Sequence, residues 1–243
     1  MEEYRERKYR ESVQAKGLET FHVVVKETDL WVSAGRLLEK ETEDLVFEYR
    51  AQLESYIQNH PDFSTTLNPY PKDPFAPPIV KEMIRCTGEI GVGPMASVAG
   101  AVAQFVARGL LEKDDQVIVE NGGDIYLKVK RPVTVSVFAG KSLLSEKVGL
   151  KISAHQMPLG VCASSGTVGH SLSMGAADAV CLISPSAILA DGAATALCNR
   201  VKGKADLERL PDWANQIDGI RGGVGIMGDR MVPWGDVELV AIS

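Results

Sequence analysis

Strand-like segments in this chain follow one another in runs instead of alternating strictly with helices. Before residue 184 they occupy 117–120, 125–129, 133–138, 148–153, 159–163 and 179–183, and the last ones cover 224–227, 230–233 and 237–242. Consecutive strands with separate helices are typical of an α+β architecture. The predicted fold is therefore α+β, with helices packed on a largely antiparallel or mixed sheet.

Helices are predicted where apolar residues recur at helical spacing. Pro94 suits a first helical position, and Ser184-Pro185 offers a hydroxyl cap followed by proline. In chain order the remaining predicted elements are an entry strand at 21–25, a helix at 37–57, a loop with five prolines at 68–78, a helix at 94–109 and a helix at 184–200.

Nothing in the composition divides the chain, because no linker rich in Pro, Gly or Ser interrupts it. Residues 1–243 are predicted to be one domain, with 1–19 as a flexible or peripheral N-terminal segment. The formal net charge of −6, without a basic block after the first ten residues, argues against nucleic acid as a partner. No secretory signal or membrane-spanning run is present, so we expect no membrane insertion and a cytoplasmic location.

Asp191 and Thr195 form the most informative pair in the sequence. Asp191 lies about two turns past the Ser184 cap, too deep to serve the exposed amides of its own helix. Thr195 comes four residues later on the same face, and small residues surround both. A carboxylate and a hydroxyl facing one cavity are suitable ligands for Mg²⁺. The alternative is a solvent-facing aspartate beside a threonine that bonds back to its own helix.

A glycine-rich turn precedes the second helix, in the segment 88–97. Gly91, Gly93, Met95 and Ala96 lie where a predicted strand leads into a helix N-terminus, whose unpaired amides favour phosphate. The segment also matches the dinucleotide pattern G-x-G-x-x-A, although the chain does not continue in βαβ units. Glycines that serve only the turn are the alternative explanation.

Two further turns contain polar residues that could face a ligand. The turn Asn121-Gly122-Gly123-Asp124 joins two predicted strands, and a hairpin requiring positive φ explains it equally well. Ser165-Gly166 lies five residues before His170, so a serine nucleophile activated by this histidine is conceivable. The G-x-S-x-G pattern of a nucleophile elbow is absent, and His170 could be a bystander.

In chain order these four segments resemble the ApbE family of FAD:protein FMN transferases. Ala190-Asp191-Gly192-Ala193-Ala194-Thr195-Ala196-Leu197 matches the family's Ala-Asp-x-x-Ala-Thr-Ala-Leu helix at every specified position. Asn121-Gly122-Gly123-Asp124 is similar to the family's Asn-x-Gly-Gly-Asp turn with one residue fewer, Ser165-Gly166 to its Ser-Gly turn, and residues 91–100 to its glycine-rich helix start.

The resemblance implies a flavin-nucleotide protein that uses FAD or FMN together with magnesium. Family members transfer FMN from FAD to a threonine or serine of an acceptor protein and release AMP. Carried over, the metal ligands are Asp191, Thr195 and the carbonyl of about Ala96, and the catalytic residues are Asp191 and His170. The expected nucleotide contacts are Gly91, Gly93, Met95, Ala96, Asn121, Gly122, Gly123, Asp124, Ser165 and Gly166.

Two departures from the family pattern separate the possible functions. Ser97 stands where the family has lysine, and the family's His-x-x-Asp-Pro-x-Thr-Gly segment is absent apart from His170. The chain looks closer to an uncharacterised soluble branch of the superfamily. The open alternatives are an FMN transferase or FAD pyrophosphatase, a non-catalytic flavin or nucleotide-binding protein, and a small hydrolase using Ser165 and His170.

Overall fold

The computed structural model describes residues 17–167 and 175–242. Within these residues every strand pairing is antiparallel. Eight strands form one sheet in the order β1-β2-β3-β4-β7-β8-β9-β10, and β11-β6-β5 form a second sheet. The strands are β1 Glu19–Val25, β2 Thr28–Ala34, β3 Val117–Asn121, β4 Asp124–Lys128, β5 Val133–Ser136, β6 Val148–Ile152, β7 Leu159–Ser164, β8 Ala179–Ser184, β9 Gly222–Met227, β10 Arg230–Gly235 and β11 Glu238–Ala241.

Helices pack against one face of the large sheet. In the described part of the chain they are α1 Glu39–Asn59, α2 Asp62–Thr65, α3 Pro78–Ile90, α4 Val98–Leu110, α5 Ala187–Arg200, α6 Lys204–Leu207 and α7 Leu210–Ala214. A 3₁₀ turn, Pro94–Ser97, leads into α4. The prediction of an α+β fold with helices on an antiparallel sheet is confirmed.

The large sheet is buried on both faces, because alternate residues of its central strands belong to two different cores. Val119 and Tyr126 pack with the helices, whereas Ile118 and Leu127 pack with the three-stranded sheet. Successive side chains of a strand point to opposite faces, so both faces of such a strand must be apolar. This explains the nearly continuous apolar runs in β3 and β4.

Helix α5 lies in the middle of the helical layer and contacts β7, β8, α3 and α4. Gly160 of β7 permits this close approach, since a Cβ atom there would lie 2.4 Å from the Cα of Ala187. Every residue from Ala187 to Ala194 is buried. The first two turns of α5 are thus enclosed by the sheet and by neighbouring helices, and Asp191 falls within this enclosed part.

Two local sequence predictions were wrong, and a third, the helix start at Pro94, was correct. The segment before the glycine turn is helix α3, not a strand, and its apolar residues Ile79, Met83 and Ile84 pack into the helical core. The helix expected from Pro94 does begin there, first as the 3₁₀ turn and from Val98 as an α-helix. The cap of α5 is Ser186, whose Oγ accepts a hydrogen bond from the amide of Leu189 at 3.3 Å, and not Ser184. Strand β2 was not predicted at all.

Two further predictions, a flexible or peripheral N-terminal segment and the absence of membrane insertion, can be compared with the described residues only in part. Most of the N-terminal segment 1–19 falls on residues 1–16, which lie outside the described ranges. Within the described ranges no single helix has both the length and the apolar character needed to cross a membrane. The pair Pro78–Ile90 and Pro94–Leu110 meets the criteria of length and composition only together, and it is bent by 103°.

Candidate functional site

Asp191 is a buried carboxylate that caps a helix other than its own. Its Oδ2 atom accepts a hydrogen bond from the backbone amide of Gly100 at 2.8 Å, and its side chain is held 7% exposed. Gly100 and Ala99 belong to the first turn of α4, whose amides have no partner within that helix. The sequence indicated that Asp191 does not cap its own helix, and in the structure its hydrogen-bond partner is an amide of α4.

The electrostatics of Asp191 follow from this enclosure. Burial raises its pKa to about 7, and hydrogen bonds from the amides of Gly100 and Ala99 oppose the rise. Burial disfavours the charged form of a carboxylate, whereas donors aimed at it favour the charged form. A positive charge close to Asp191 would therefore stabilise the ionised form of its carboxylate.

The turn between β3 and β4 is hydrogen-bonded to the start of α4 as well. The side-chain amide of Asn121 donates to the carbonyl oxygen of Ala99 at 3.1 Å. Gly122 and Gly123 have φ values of 67° and 107°, so the hairpin interpretation of this turn is confirmed. The amide of Gly123 donates to Oε1 of the buried Glu120 at 2.6 Å, which fixes the turn from the opposite side.

Asp124 brings a second buried carboxylate to this region. Its Oδ1 atom accepts a hydrogen bond from the amide of Ala163 at 3.3 Å. Burial and then the nearby charge of Asp191 raise the pKa of Asp124 well above its usual range, against the opposing Cys162 thiol and Ala163 amide. A buried carboxylate whose pKa is raised by burial and by a neighbouring carboxylate is often found at functional sites.

Thr195 lies four residues after Asp191 on α5 and is half-buried. Thr42 and Thr87 donate their hydroxyls to the carbonyl four residues earlier, at 2.8 and 2.7 Å. For Thr195 the described part of the chain shows no such bond, so the back-bonded alternative is not realised there.

Backbone conformation and close packing within the protein account for the glycines of the turn in segment 88–97. Gly91 ends α3 in the left-handed conformation with φ of 87°, and a Cβ atom on Gly93 would lie 1.9 Å from the carbonyl oxygen of Thr66. Met95 packs against the helical core, and Ala96 is half-buried. Both glycines are thus required by the backbone, whether or not a phosphate binds there.

Ser97 is buried within the same turn and donates its hydroxyl to the carbonyl of Pro94 at 2.9 Å. It also lies close to α5, since its Cβ would be 3.7 Å from a Cβ placed on Gly192. Ser97 therefore completes the 3₁₀ turn and does not reach out of it, which agrees with its small size.

The Ser165-Gly166 turn follows directly after β7. The hydroxyl of Ser165 accepts a hydrogen bond from the amide of Thr167 at 3.1 Å, and the amide of Gly166 donates to the carbonyl of Ala177 at 2.9 Å. His170 lies outside the described residues, so the pairing of Ser165 with His170 stays a prediction. The turn begins two residues after Ala163, which bonds to Asp124.

The predicted residues thus divide into two groups. Hydrogen bonds link Asn121 and Asp191 with the start of α4, and the charge of Asp191 acts on Asp124, while Gly91, Gly93 and Met95 serve the turn and the core. Sequence reasoning missed Gly100, Cys162 and Glu120. Only Glu120 carried a signal, since a charged residue at the end of the apolar run Val117–Val119 is unusual in a buried strand.

Magnesium fits this donor set on chemical grounds. Mg²⁺ prefers hard oxygen ligands and retains several waters or phosphate oxygens, so one or two carboxylates suffice. The described residues contain no group of three or more His, Cys, Asp or Glu side chains that could hold a metal ion. A cation here would depend on Asp191 together with a hydroxyl, carbonyls, water and a bound nucleotide.

A separate groove of about 640 Å³ lies along α1 and is far from these residues in sequence. Its lining consists of Glu48, Ala51, Gln52, Ser55, Tyr56, Asn59, His60 and Pro77. None of the predicted site residues belongs to it. The chemistry of the buried carboxylates, not the size of this groove, identifies the candidate site.

Comparison with protein families gives a match over most of the chain. The family model described as "AbpE bacteria" matches residues 10–219. A "UPF0280 protein" from Methanocella arvoryzae is 39% identical over 212 residues, covering 87% of this chain and 86% of the relative. Another from Methanocaldococcus jannaschii is 39% identical over 203 residues, covering 82% of each chain.

Solved structures resemble this fold at low sequence identity. The flavin transferase ApbE from Vibrio cholerae aligns with a TM-score of 0.57 and 15% identity, covering 90% of this chain and 97% of the other. The apo form of the flavinyl transferase ApbE from Pseudomonas stutzeri gives the same TM-score and identity and is covered over 94% of its length. At this identity the similarity establishes the fold alone.

Proposed function

The chain belongs to the ApbE-like superfamily, within the family that the "AbpE bacteria" model describes, and we propose that it is a magnesium-dependent flavin-nucleotide protein. In the proposed site, FAD or FMN lies against the start of α4, the β3–β4 turn and the middle of α5. Asp191, Thr195 and the carbonyl of Ala96 would hold the metal. Gly91, Gly93, Met95, Asn121, Gly122, Gly123, Asp124, Ser165 and Gly166 would surround the nucleotide.

The observation that supports this proposal is the pair of buried carboxylates. Asp124 and Asp191 are 7% exposed each, and the charge of Asp191 contributes to raising the pKa of Asp124. Burying two like charges together is unfavourable unless a cation or a proton compensates them. A magnesium ion bound at Asp191 would supply that compensation and neutralise charge on a nucleotide pyrophosphate.

In the catalytic version of the proposal, the protein is an FAD:protein FMN transferase or an FAD pyrophosphatase. An acceptor hydroxyl or a water molecule forms a bond to the phosphorus of the FMN half, the pyrophosphate bond breaks, and AMP leaves. His170 would accept the proton of the attacking hydroxyl. Phosphoryl-type transfers depend mainly on positioning and charge stabilisation, and a fixed Asp191 that holds the metal would contribute to both.

The alternative is a non-catalytic flavin-binding protein, and Ser97 favours it. A serine side chain is uncharged, and its hydroxyl donates within the 3₁₀ turn, so Ser97 supplies no cation to a nucleotide phosphate. Binding could persist without that charge, whereas stabilisation of a transition state would be weakened.

One assay separates these functions. Purified protein is incubated with FAD and Mg²⁺, with EDTA as the control, and AMP and free FMN are measured by chromatography. AMP with an equal amount of free FMN indicates pyrophosphatase activity, and AMP with FMN attached to protein indicates transfer. A flavin-bearing preparation that releases no AMP supports the binding role, and failure to bind any flavin would refute the proposal.

A further inference from the structure

Helices α4 and α5 cap each other. The side chain of Asp191 on α5 accepts from the amide of Gly100 on α4, and the side chain of Gln104 on α4 accepts from the amide of Ala187 on α5 at 2.7 Å. Gly100 and Gln104 are four residues apart, as are Ala187 and Asp191, so each pair lies on one helix face. Each helix thus supplies one side chain that accepts a hydrogen bond from a first-turn amide of the other helix.

The bond from Ala187 to Gln104 is buried throughout. Gln104 is 1% exposed and Ala187 is fully buried. Ser186, the N-cap of α5, bonds to Leu189 and leaves the amide of Ala187 to another acceptor. Buried amides are almost always paired, so the first amide of α5 depends on Gln104.

Close backbone contact makes the position of α5 sensitive to this bond. A Cβ atom on Gly100 would lie 2.4 Å from the carbonyl oxygen of Ala187 and 2.9 Å from Cβ of Asp191. Small residues that allow such approach provide few side-chain contacts of their own to fix how far one helix slides along the other. The two reciprocal hydrogen bonds are contacts that can set that register.

We propose that Gln104 is a positioning residue, which places the Asp191 carboxylate through the first turn of α5. Gln104 bonds to Ala187, four residues before Asp191, and acts on the site only through that turn. Loss of its acceptor would let α5 shift and lengthen the bond between Asp191 and Gly100. The consequence for magnesium rests on the proposed function, whereas the consequence for the Gly100 amide does not.

The test compares wild type with Gln104→Met, which keeps a similar volume and replaces the amide oxygen with a thioether sulfur, a much weaker acceptor. The matched control is Gln116→Met, since Oε1 of Gln116 also accepts a backbone amide, from Lys130 at 3.1 Å, but near the surface. Amide hydrogen exchange is followed by NMR at Gly100, Ala107 and Val161, without metal or nucleotide. In Gln104→Met the Gly100 amide should exchange at least about tenfold faster, by loss of one hydrogen bond, while Ala107 and Val161 keep their rates.

A merely structural role would lower protection at all three amides by one common factor. That outcome, or an unchanged rate at Gly100, would overturn the proposal, as would an equal effect of Gln116→Met. If the methionine variant does not fold, Gln104→Asn tests the same point, because its amide is one methylene too short to reach Ala187. The Gly100 amide should again exchange at least about tenfold faster than in wild type.

A second measurement concerns magnesium. The gain in FAD affinity on adding Mg²⁺, measured by calorimetry, should fall at least about fivefold in Gln104→Met and stay unchanged in Gln116→Met. If wild type shows no such gain, the proposed function fails, and the exchange rates at Gly100 still decide the role of Gln104. Suppose that the Gly100 amide alone exchanges faster in Gln104→Met, while the gain in FAD affinity on adding Mg²⁺ is unaltered. That result would refute the inference that Gln104 positions Asp191 for the metal.

Discussion

The carboxylate of Asp191 lies 2.8 Å from the backbone amide of Gly100, and this bond joins the middle of α5 to the start of α4. The same helix start is bound from the other side by Asn121, through the carbonyl of Ala99. A helix N-terminus attracts anions, and here a buried carboxylate of the protein already occupies it. A nucleotide phosphate near α4 would therefore meet a carboxylate, and a metal ion or a proton would have to compensate the two negative charges.

Replacing Asp191 with asparagine tests the metal site directly. Asp191→Asn retains an oxygen for the Gly100 amide but removes the charge that offsets the metal, so the magnesium dependence of FAD affinity should disappear. We expect wild type to bind FAD at least about tenfold more tightly with Mg²⁺, corresponding to about 1.4 kcal/mol. Calorimetric titration of FAD with and without Mg²⁺ measures the effect.

Two further variants calibrate this result. Thr195→Val keeps the shape and deletes one oxygen ligand, so it should reduce the magnesium effect only partly, since water can take the vacant position. Asp218→Asn removes an exposed carboxylate outside the site and should change nothing. Equal magnesium stimulation in wild type and Asp191→Asn would rule out Asp191 as a ligand.

The pH dependence of stability should reveal the buried carboxylate without any ligand. The pKa of Asp191 is raised to about 7, so between about pH 4 and pH 7 the folded state retains a proton that the unfolded chain has released. The free energy of unfolding must then fall as the pH rises through this interval and level off above it. The shift from 3.8 to about 7 sets an upper bound of roughly 4 kcal/mol on this loss.

Urea unfolding of metal-free protein at about pH 4.5 and about pH 7.5 measures the loss. Asp191→Asn should lose at least about 1 kcal/mol less stability between these two pH values than wild type, because its side chain does not titrate. Asp124 titrates in both proteins and contributes in the same direction. A loss of the same size in both would show that Asp191 is not protonated on folding.

The sequence predicted most of the elements and singled out Asp191, but it did not predict the contacts between them. Asp191 was identified because it lies too deep to cap its own helix, yet its partner Gly100 is 91 residues earlier, a separation at which spacing carries no information. Strand β2 was missed because its turn uses Lys26 in the left-handed conformation with φ of 53°, without the Gly or Asn that usually marks a hairpin. Long-range packing decided both features.

Gly123 offers a test of the β3–β4 turn as a nucleotide contact. A Cβ atom at Gly123 would meet nothing within 4 Å, so Gly123→Ala strains only the backbone at φ of 107°. Gly228, in the turn between β9 and β10, has φ of 62° and equally open surroundings. Each alanine variant should lose about 1–2 kcal/mol of stability, the usual cost of a left-handed residue with a side chain.

Only Gly123→Ala should affect the ligand. We expect its FAD affinity to fall at least about tenfold, since a methyl group would stand where the nucleotide approaches the backbone. Gly228→Ala serves as the control for backbone strain and should bind FAD as wild type does. Unchanged FAD affinity in folded Gly123→Ala would remove this turn from the site.

His170 remains a prediction from the sequence, and its role can be measured where turnover exists. A general base typically contributes 10²- to 10⁴-fold to the rate, so His170→Ala should slow AMP release from FAD by at least about 10²-fold. The affinity for FAD should change much less, because the imidazole acts on the attacking hydroxyl. Full turnover in His170→Ala would return this histidine to the role of a bystander.

The tight crossing of α4 and α5 provides the last prediction. Gly100→Ala would place a methyl group 2.4 Å from the carbonyl oxygen of Ala187, in fixed backbone, and 2.9 Å from Cβ of Asp191. The helices would have to separate, at a cost of about 2 kcal/mol or more for such overpacking. The displaced carboxylate should also reduce the magnesium-dependent gain in FAD affinity.

Gly109→Ala, on the same helix, is the matched control. Its methyl group would lie 2.7 Å from Cδ2 of Leu45, the flexible end of a side chain that can rotate away. The higher helix propensity of alanine, about 1 kcal/mol, offsets this adjustment, so the net change should stay within about 1 kcal/mol. Urea unfolding and FAD titration of both variants decide the matter: if Gly100→Ala were as stable as Gly109→Ala and kept the magnesium effect, close contact of the two helices would not be what positions Asp191.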